Sequence, residues 1–210
     1  MSIELIYYFV TFFVIVDPAG TAVIFAGLTH DWSAEERKHA AWRGIIVAAI
    51  VLFLFAVGGD PVLHALGVSL AALRIGGGAL LFLLAVDMVF ARPSGIHTPT
   101  VPEREEARKR DDVAVFPLAF PLLAGPGALT SVVLLMGRAA TPLAVGEVLL
   151  ALLVVLGLSL AALLQATRLT HLLGATGAAV TGRVLGVVLA ALAAQFVLDG
   201  LAAGGVAVLP

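Results

Sequence analysis

The chain contains no cysteine, which excludes disulfides and thiolate metal sites. Charge is nearly as scarce. Asp, Glu, Lys and Arg supply 12% of 210 residues, about half the usual share of a soluble domain. A net charge of −2 leaves no basic surface for nucleic acid. There is no Gly-x-Ser-x-Gly, no His-Glu-x-x-His, no Walker loop and no pair of intramembrane acids, so no enzyme signature is present. His64 and His171 have no partners at metal-ligand spacing. The expectation is a protein without catalytic residues, metal or cofactor. No Lys or Arg precedes the first apolar run, Glu4 does, and the run is too long for a leader's core. The N-terminus therefore reads as a first span and not as a secretory signal.

What remains is apolar length. Hydrophobic residues make up 61% of the chain, and the mean hydropathy is +1.10. The apolar runs are continuous, without the period-two alternation of an outer-membrane barrel. The fold class is an all-α polytopic membrane protein. A helical span needs about 20 apolar residues, which predicts six at 3–28, 42–59, 67–91, 113–137, 146–166 and 178–203. Ser33 and Glu36 form the pattern of a capping box that starts a helix running into the second. The one strongly polar segment, 92–112, reads as a solvated linker between 1–91 and 113–210. Arg37, Lys38, Arg43, Arg92, Arg104, Arg108, Lys109, Arg110 and Arg168 fall in loops 1–2, 3–4 and 5–6, and only Arg138 falls in a loop on the other side. The positive-inside rule makes the first set cytoplasmic and puts both termini outside.

The halves repeat. Pro18 and Pro126 stand 108 positions apart, His64-Ala65-Leu66-Gly67 and His171-Leu172-Leu173-Gly174 stand 107 apart, and Arg74 and Arg183 stand 109 apart. Three landmarks in one order at near-constant offset indicate two three-helix repeats within one membrane domain. Three is odd, so the second copy is inverted. Asp17-Pro18-Ala19-Gly20-Thr21 and Gly125-Pro126-Gly127-Ala128 interrupt the first and fourth spans, since proline removes a donor and glycine lowers helix propensity. Paired interruptions near the midplane of inverted repeats point to a carrier.

Each break starts a half-helix whose first N–H groups lack internal partners and carry the positive dipole end, which suits a carboxylate. The preceding half-helix leaves carbonyls for an ammonium group. Ala19, Gly20, Gly125, Gly127 and Ala128 leave room, with Phe13, Phe25 and Phe120 as apolar caps; this favours small neutral substrates. Asp17 is the lone acid near midplane: a binder of the substrate ammonium, a coupling-proton site, or a cap on the next half-helix. Thr21 and Thr130 lie one turn beyond their breaks and either touch substrate or bond back to their own helices. Arg74 and Arg183 read as structural, bonding broken-helix carbonyls or pairing with Asp17 or Asp199, or as gating residues. Gln165 and Gln195 read as interhelical hydrogen bonders, and Gly76-Gly77-Gly78 as a close-packing stretch.

Several stretches carry a family resemblance. They are Asp17-Pro18-Ala19-Gly20-Thr21 with Leu28-Thr29, Leu73 through Phe82, Phe116-Pro117-Leu118-Ala119-Phe120-Pro121-Leu122-Leu123-Ala124-Gly125-Pro126-Gly127-Ala128, and Arg183-Val184-Leu185-Gly186 with Gln195-Phe196. Together they resemble the MarC family of inner-membrane proteins, which includes small neutral amino-acid transporters, over about residues 5 to 201. The family motif often ends in Asn where this chain has Thr21. The resemblance implies a six-helix inverted-repeat carrier with discontinuous first and fourth helices, in a bacterial or archaeal plasma membrane, moving glycine- or alanine-sized amino acids. A lone midplane acid favours H⁺ over Na⁺ as coupling ion. Export of other small molecules or drugs, or a scaffold without transport, are the alternatives. Homo-oligomerisation, direction and exact substrate stay open.

Overall fold

The structure is a computed structural model that describes residues 3–90 and 113–205. The polar linker predicted at 92–112 lies outside the described residues. Among the described residues eight helical elements follow one another: α1 Ile3–Val16, α2 Pro18–Leu28, α3 Ala34–Ala65, α4 Leu70–Phe90, α5 Ala114–Leu123, α6 Pro126–Arg138, α7 Pro142–Leu164 and α8 Ala166–Ala203. No strand occurs among the described residues. Among the described residues five helical stretches, α1 with α2 counted as one, are long and apolar enough to cross a membrane, and six spans result if α5 and α6 also count as one. The chain is an all-helical, multi-pass membrane protein.

Local chemistry explains where these elements begin and stop. Ser33 caps α3 in a full capping box with Glu36, and Thr141 caps α7 by accepting the Ala144 N–H. Pro18, Pro126 and Pro142 open α2, α6 and α7, where a missing N–H costs no helical bond. Gly67, just past α3, has φ 67°, and Gly174, inside α8, has φ 61°. That left-handed backbone strongly favours glycine. α5 is a wide π-type coil with extended backbone at Phe116 and Phe120, each before a cis-proline, Pro117 and Pro121. The helix of the second span begins at Ala34, directly after Ser33, as the capping box leads one to expect, and its polar first turns run on into the span. The sixth begins as the continuation of a helix starting at Ala166 and is turned at Gly174.

The structural punctuation repeats at the offset of the sequence landmarks. The caps Ser33 and Thr141, and the break residues Asp17 and Gly125, are each 108 positions apart; the left-handed Gly67 and Gly174 are 107 apart. α3 thus corresponds to α7 plus the first turns of α8, and α4 to the remainder of α8, where the span is Ala179–Ala203. Packing follows the same exchange. α1 and α2 lie on α7 as α5 and α6 lie on α3; α2 lies on α8 as α6 lies on α4; α4 packs along α8 and α3 along α7. The halves are interleaved, each seating its broken helix on helices of the other. The shared core runs through Phe12, Phe25, Leu52, Leu122, Leu152 and Phe196.

Close approach in this bundle depends on glycine, since lipid-exposed helices gain by backbone contact and not by burying apolar surface. At Gly77 a Cβ would collide with the Thr130 side chain, and at Gly78 it would lie 2.8 Å from the Ala193 carbonyl oxygen on α8. Gly76 beside them is exposed and meets nothing. Overpacking costs about 1–3 kcal/mol, so Gly77→Ala should lower the thermal unfolding midpoint in detergent while Gly76→Ala leaves it unchanged or raises it. Fluorescence-detected unfolding of the two variants side by side checks this.

Candidate functional site

The two breaks are built differently. At the first, Asp17 adopts the left-handed conformation (φ 44°, ψ 71°), one that aspartate tolerates better than most residues. Its carboxylate accepts the Gly20 N–H at 3.0 Å. Its backbone N–H reaches the Phe13 carbonyl at 3.1 Å, and its carbonyl accepts the Thr21 N–H at 2.9 Å. The Thr21 hydroxyl donates to the Val16 carbonyl at 3.0 Å. Gly20 packs so closely on the Asp17 carboxylate that a Cβ there would collide with it. Asp17 is 4% exposed and Thr21 fully buried. Both thus make the local capping bonds, and α1–α2 remains one span, Ile3–Leu28.

At the second break the axis turns by 53° between α5 and α6. Gly125 is the N-cap of α6 in extended backbone (φ −71°, ψ 172°), and no side chain caps the helix. Gly125 packs against the Pro121 carbonyl, and a Cβ on Gly127 would stand 2.8 Å from Leu81, 3.3 Å from Leu84 and 3.5 Å from Ile15. Gly127 and Ala128 are buried. Ile15, two residues before the first break, thus faces Gly127, the second residue of α6 after the second break. The breaks meet across the α1–α6 contact.

The other predicted residues divide. A cavity of about 390 Å³ between α3, α4 and α6 touches Pro126 and Thr130 but none of the first break, and its outer wall is the exposed Leu54, Phe55 and Val62. Phe25 is fully buried, Phe13 stacks on Phe9, and Phe120 is 46% exposed, so the three predicted aromatic caps have different surroundings. Ala19 and Gly20 are half-buried beside Asp17. Arg74 is half-buried, its Nε enclosed without a hydrogen bond, whereas Arg183 is exposed. The two glutamines bond within their own helices, correcting the interhelical expectation: Gln195 to Asp199 at 2.7 Å and Gln165 to the Ala161 carbonyl at 3.4 Å. Both partners sit four residues away, about one helical turn, where residues share a face of the helix.

A polar cluster away from the breaks was not foreseen. Arg138, the last residue of α6, forms a salt bridge with Asp199 of α8, both side chains about three-quarters buried. Arg138 also donates to the Tyr7 hydroxyl at 3.3 Å and lies over the Phe196 ring, 5.9 Å from its centroid. Arg74 is within electrostatic range of both Arg138 and Tyr7. Four different helices meet here. The signal available in the sequence was depth: Tyr7, Arg74 and Asp199 each stand four residues from the end of a helix terminating on one face, and Arg138 ends a helix on that same face.

The profile described as MarC family integral membrane protein matches residues 3–204. The chain belongs to the MarC family. A UPF0056 membrane protein of Archaeoglobus fulgidus is 41% identical, over 92% of this chain and 90% of its own. UPF0056 membrane protein MJ1677 of Methanocaldococcus jannaschii is 35% identical over 92% and 93%. The UPF0056 inner membrane protein YhgN of Escherichia coli K12 is 32% identical over 94% and 96%. No solved structure matches the chain at a significant level. The MarC assignment agrees with the multi-pass helical fold and covers both breaks.

Replacing Asp17 by Ala removes the cap and leaves a left-handed residue without side-chain support; losing an N-cap alone costs about 0.5–2 kcal/mol. Asn accepts the same Gly20 N–H and tolerates the same backbone. Chemical or thermal unfolding should therefore rank wild type and Asp17→Asn together and Asp17→Ala clearly below them.

Proposed function

We propose that this MarC protein is a secondary carrier of small neutral amino acids, working by alternating access without a covalent step. The observation carrying this reading is the meeting of the two breaks, with Ile15 against Gly127 and no side-chain cap on α6. An uncapped half-helix start presents the Gly127 and Ala128 N–H groups and the positive dipole end, the preorganised partner of a carboxylate. Asp17 on the facing helix supplies the opposite charge for an ammonium group while keeping its bond to Gly20. A zwitterion with a hydrogen or methyl side chain matches this spacing. Larger side chains meet Ile15, Leu81 and Leu84, and displacement of α1 or α4 from Gly127 opens the site. H⁺ is the proposed coupling ion, because Asp17 can exchange a proton and its conservative amide cannot. The Lys and Arg distribution supports cytoplasmic loops 1–2, 3–4 and 5–6 with both termini outside.

Counterflow of labelled glycine and L-alanine into proteoliposomes tests this. The expected result is saturable exchange, inhibited by L-alanine and not by L-arginine, and accelerated by an imposed pH gradient. Asp17→Asn should fold as wild type but lose the pH-gradient response. Flux no greater than in protein-free liposomes, with the protein demonstrably folded, would remove the amino-acid reading.

A further inference from the structure

Thr11 on α1 and Ser131 on α6 are fully buried, and neither hydroxyl has a hydrogen-bond partner among the described residues. Hydroxyls inside helices normally satisfy themselves by donating to the carbonyl one turn back. Thr29, Ser159 and Thr170 do so, at 2.8, 2.9 and 2.8 Å. Thr11 and Ser131 do not, and a buried polar group left unpaired in a native structure calls for a reason.

Their position supplies one. Two contacts set the register of α1 against α6: Ile15 against Gly127, and the Tyr7 hydroxyl against Arg138. As α1 is followed backwards from Ile15 to Tyr7, α6 is followed forwards from Gly127 to Arg138, so the two elements run antiparallel. Thr11 is four residues from Ile15 and Ser131 four from Gly127, which puts both hydroxyls at one level, roughly 6 Å above the Ile15–Gly127 contact at 1.5 Å per residue. The next level along the same seam is the Tyr7–Arg138–Asp199 cluster with Arg74 at its edge. Polar groups therefore succeed one another along this seam from the breaks to the face on which α1 begins.

We infer that the α1–α6 seam is the access route between that face and the breaks, with Thr11 and Ser131 as hydroxyl contacts for a small zwitterion and the Arg138–Asp199 bridge as the closure above them. The inference rests on the carrier reading only for the identity of what passes. The bridge suits a closure because it joins the end of α6 to α8 and is about three-quarters buried, sheltered enough to hold and still exposed enough to exchange for solvent. The hydroxyls suit a passing ligand because they hold no competing protein bond to break.

The cysteine-free chain permits a direct test. Ser131→Cys and Thr11→Cys, each nearly isosteric, are reconstituted in nanodiscs and reacted with a charged methanethiosulfonate reagent that reaches both faces. With the bridge intact, labelling should be slow. Adding Asp199→Asn, or separately Arg138→Gln, should raise the rate roughly tenfold by shifting the population towards the open form. Ser159→Cys, buried on α7 away from the seam, should stay slow in the same backgrounds. Equal rates at Thr11→Cys and Ser131→Cys with and without the bridge overturn the route, and so does a parallel rise at Ser159→Cys, which would mean general loosening. Faster seam labelling that L-alanine does not slow keeps the route and removes the amino acid as its cargo, so the two readings fail separately.

Discussion

Hydrocarbon offers a broken helix no water to bond with, so every backbone group freed at a break must find a partner in protein or in what the protein carries. The two breaks resolve this constraint in opposite ways. At Asp17 the chain satisfies itself: the carboxylate takes the Gly20 N–H, and the Thr21 hydroxyl takes the Val16 carbonyl. At Gly125 no side chain is present to do so, and α6 begins without a cap. One broken helix stays a near-continuous span, while the other turns by 53° and leaves its start turned towards the first. The small residues, the proximity of α1 to α6 and the interleaving of the halves all serve to bring those two places together.

The approximate two-fold exchange of halves holds for backbone punctuation and helix packing but not for charge. Arg138 closes one face with Asp199, while its repeat position is His30, which sits by its neighbour Asp31. At 109 positions before Asp199 stands Phe90. The opposite face is instead joined by Arg37 donating to the Thr167 hydroxyl at 2.6 Å, a charged-to-neutral bond at an exposed site. A repeat that duplicates a scaffold need not duplicate its charges, and here the two ends are held by different chemistry.

Much of this was written locally. Spans, caps and breaks depend on neighbours within a few residues, which is why Ser33, Pro18, Pro126 and Gly67 announced themselves by type and spacing. The repeat was legible because it is carried by these same punctuating residues. The helices of the second and sixth spans start upstream of their apolar runs, at Ala34 and Ala166, because polar first turns continue a helix without continuing the apolar run; Ser33 marks the first of these starts in the sequence, and no capping side chain marks the second. Gln165 and Gln195 were assigned to neighbouring helices, although each bonds about one turn away on its own.

By itself the sequence determined a polytopic helical protein of two like halves, its two interrupted spans and its membership of a membrane family, because hydropathy, proline and glycine act along the chain. Only the tertiary structure decided which of the polar residues meet. Arg138 and Asp199 are 61 positions apart, and Tyr7 and Arg138 are 131 apart. Thr11 and Ser131 differ from other helical hydroxyls only in what surrounds them. Such pairings arise from how helices far apart in sequence are laid side by side, and depth in the bilayer restricts the candidates without choosing among them.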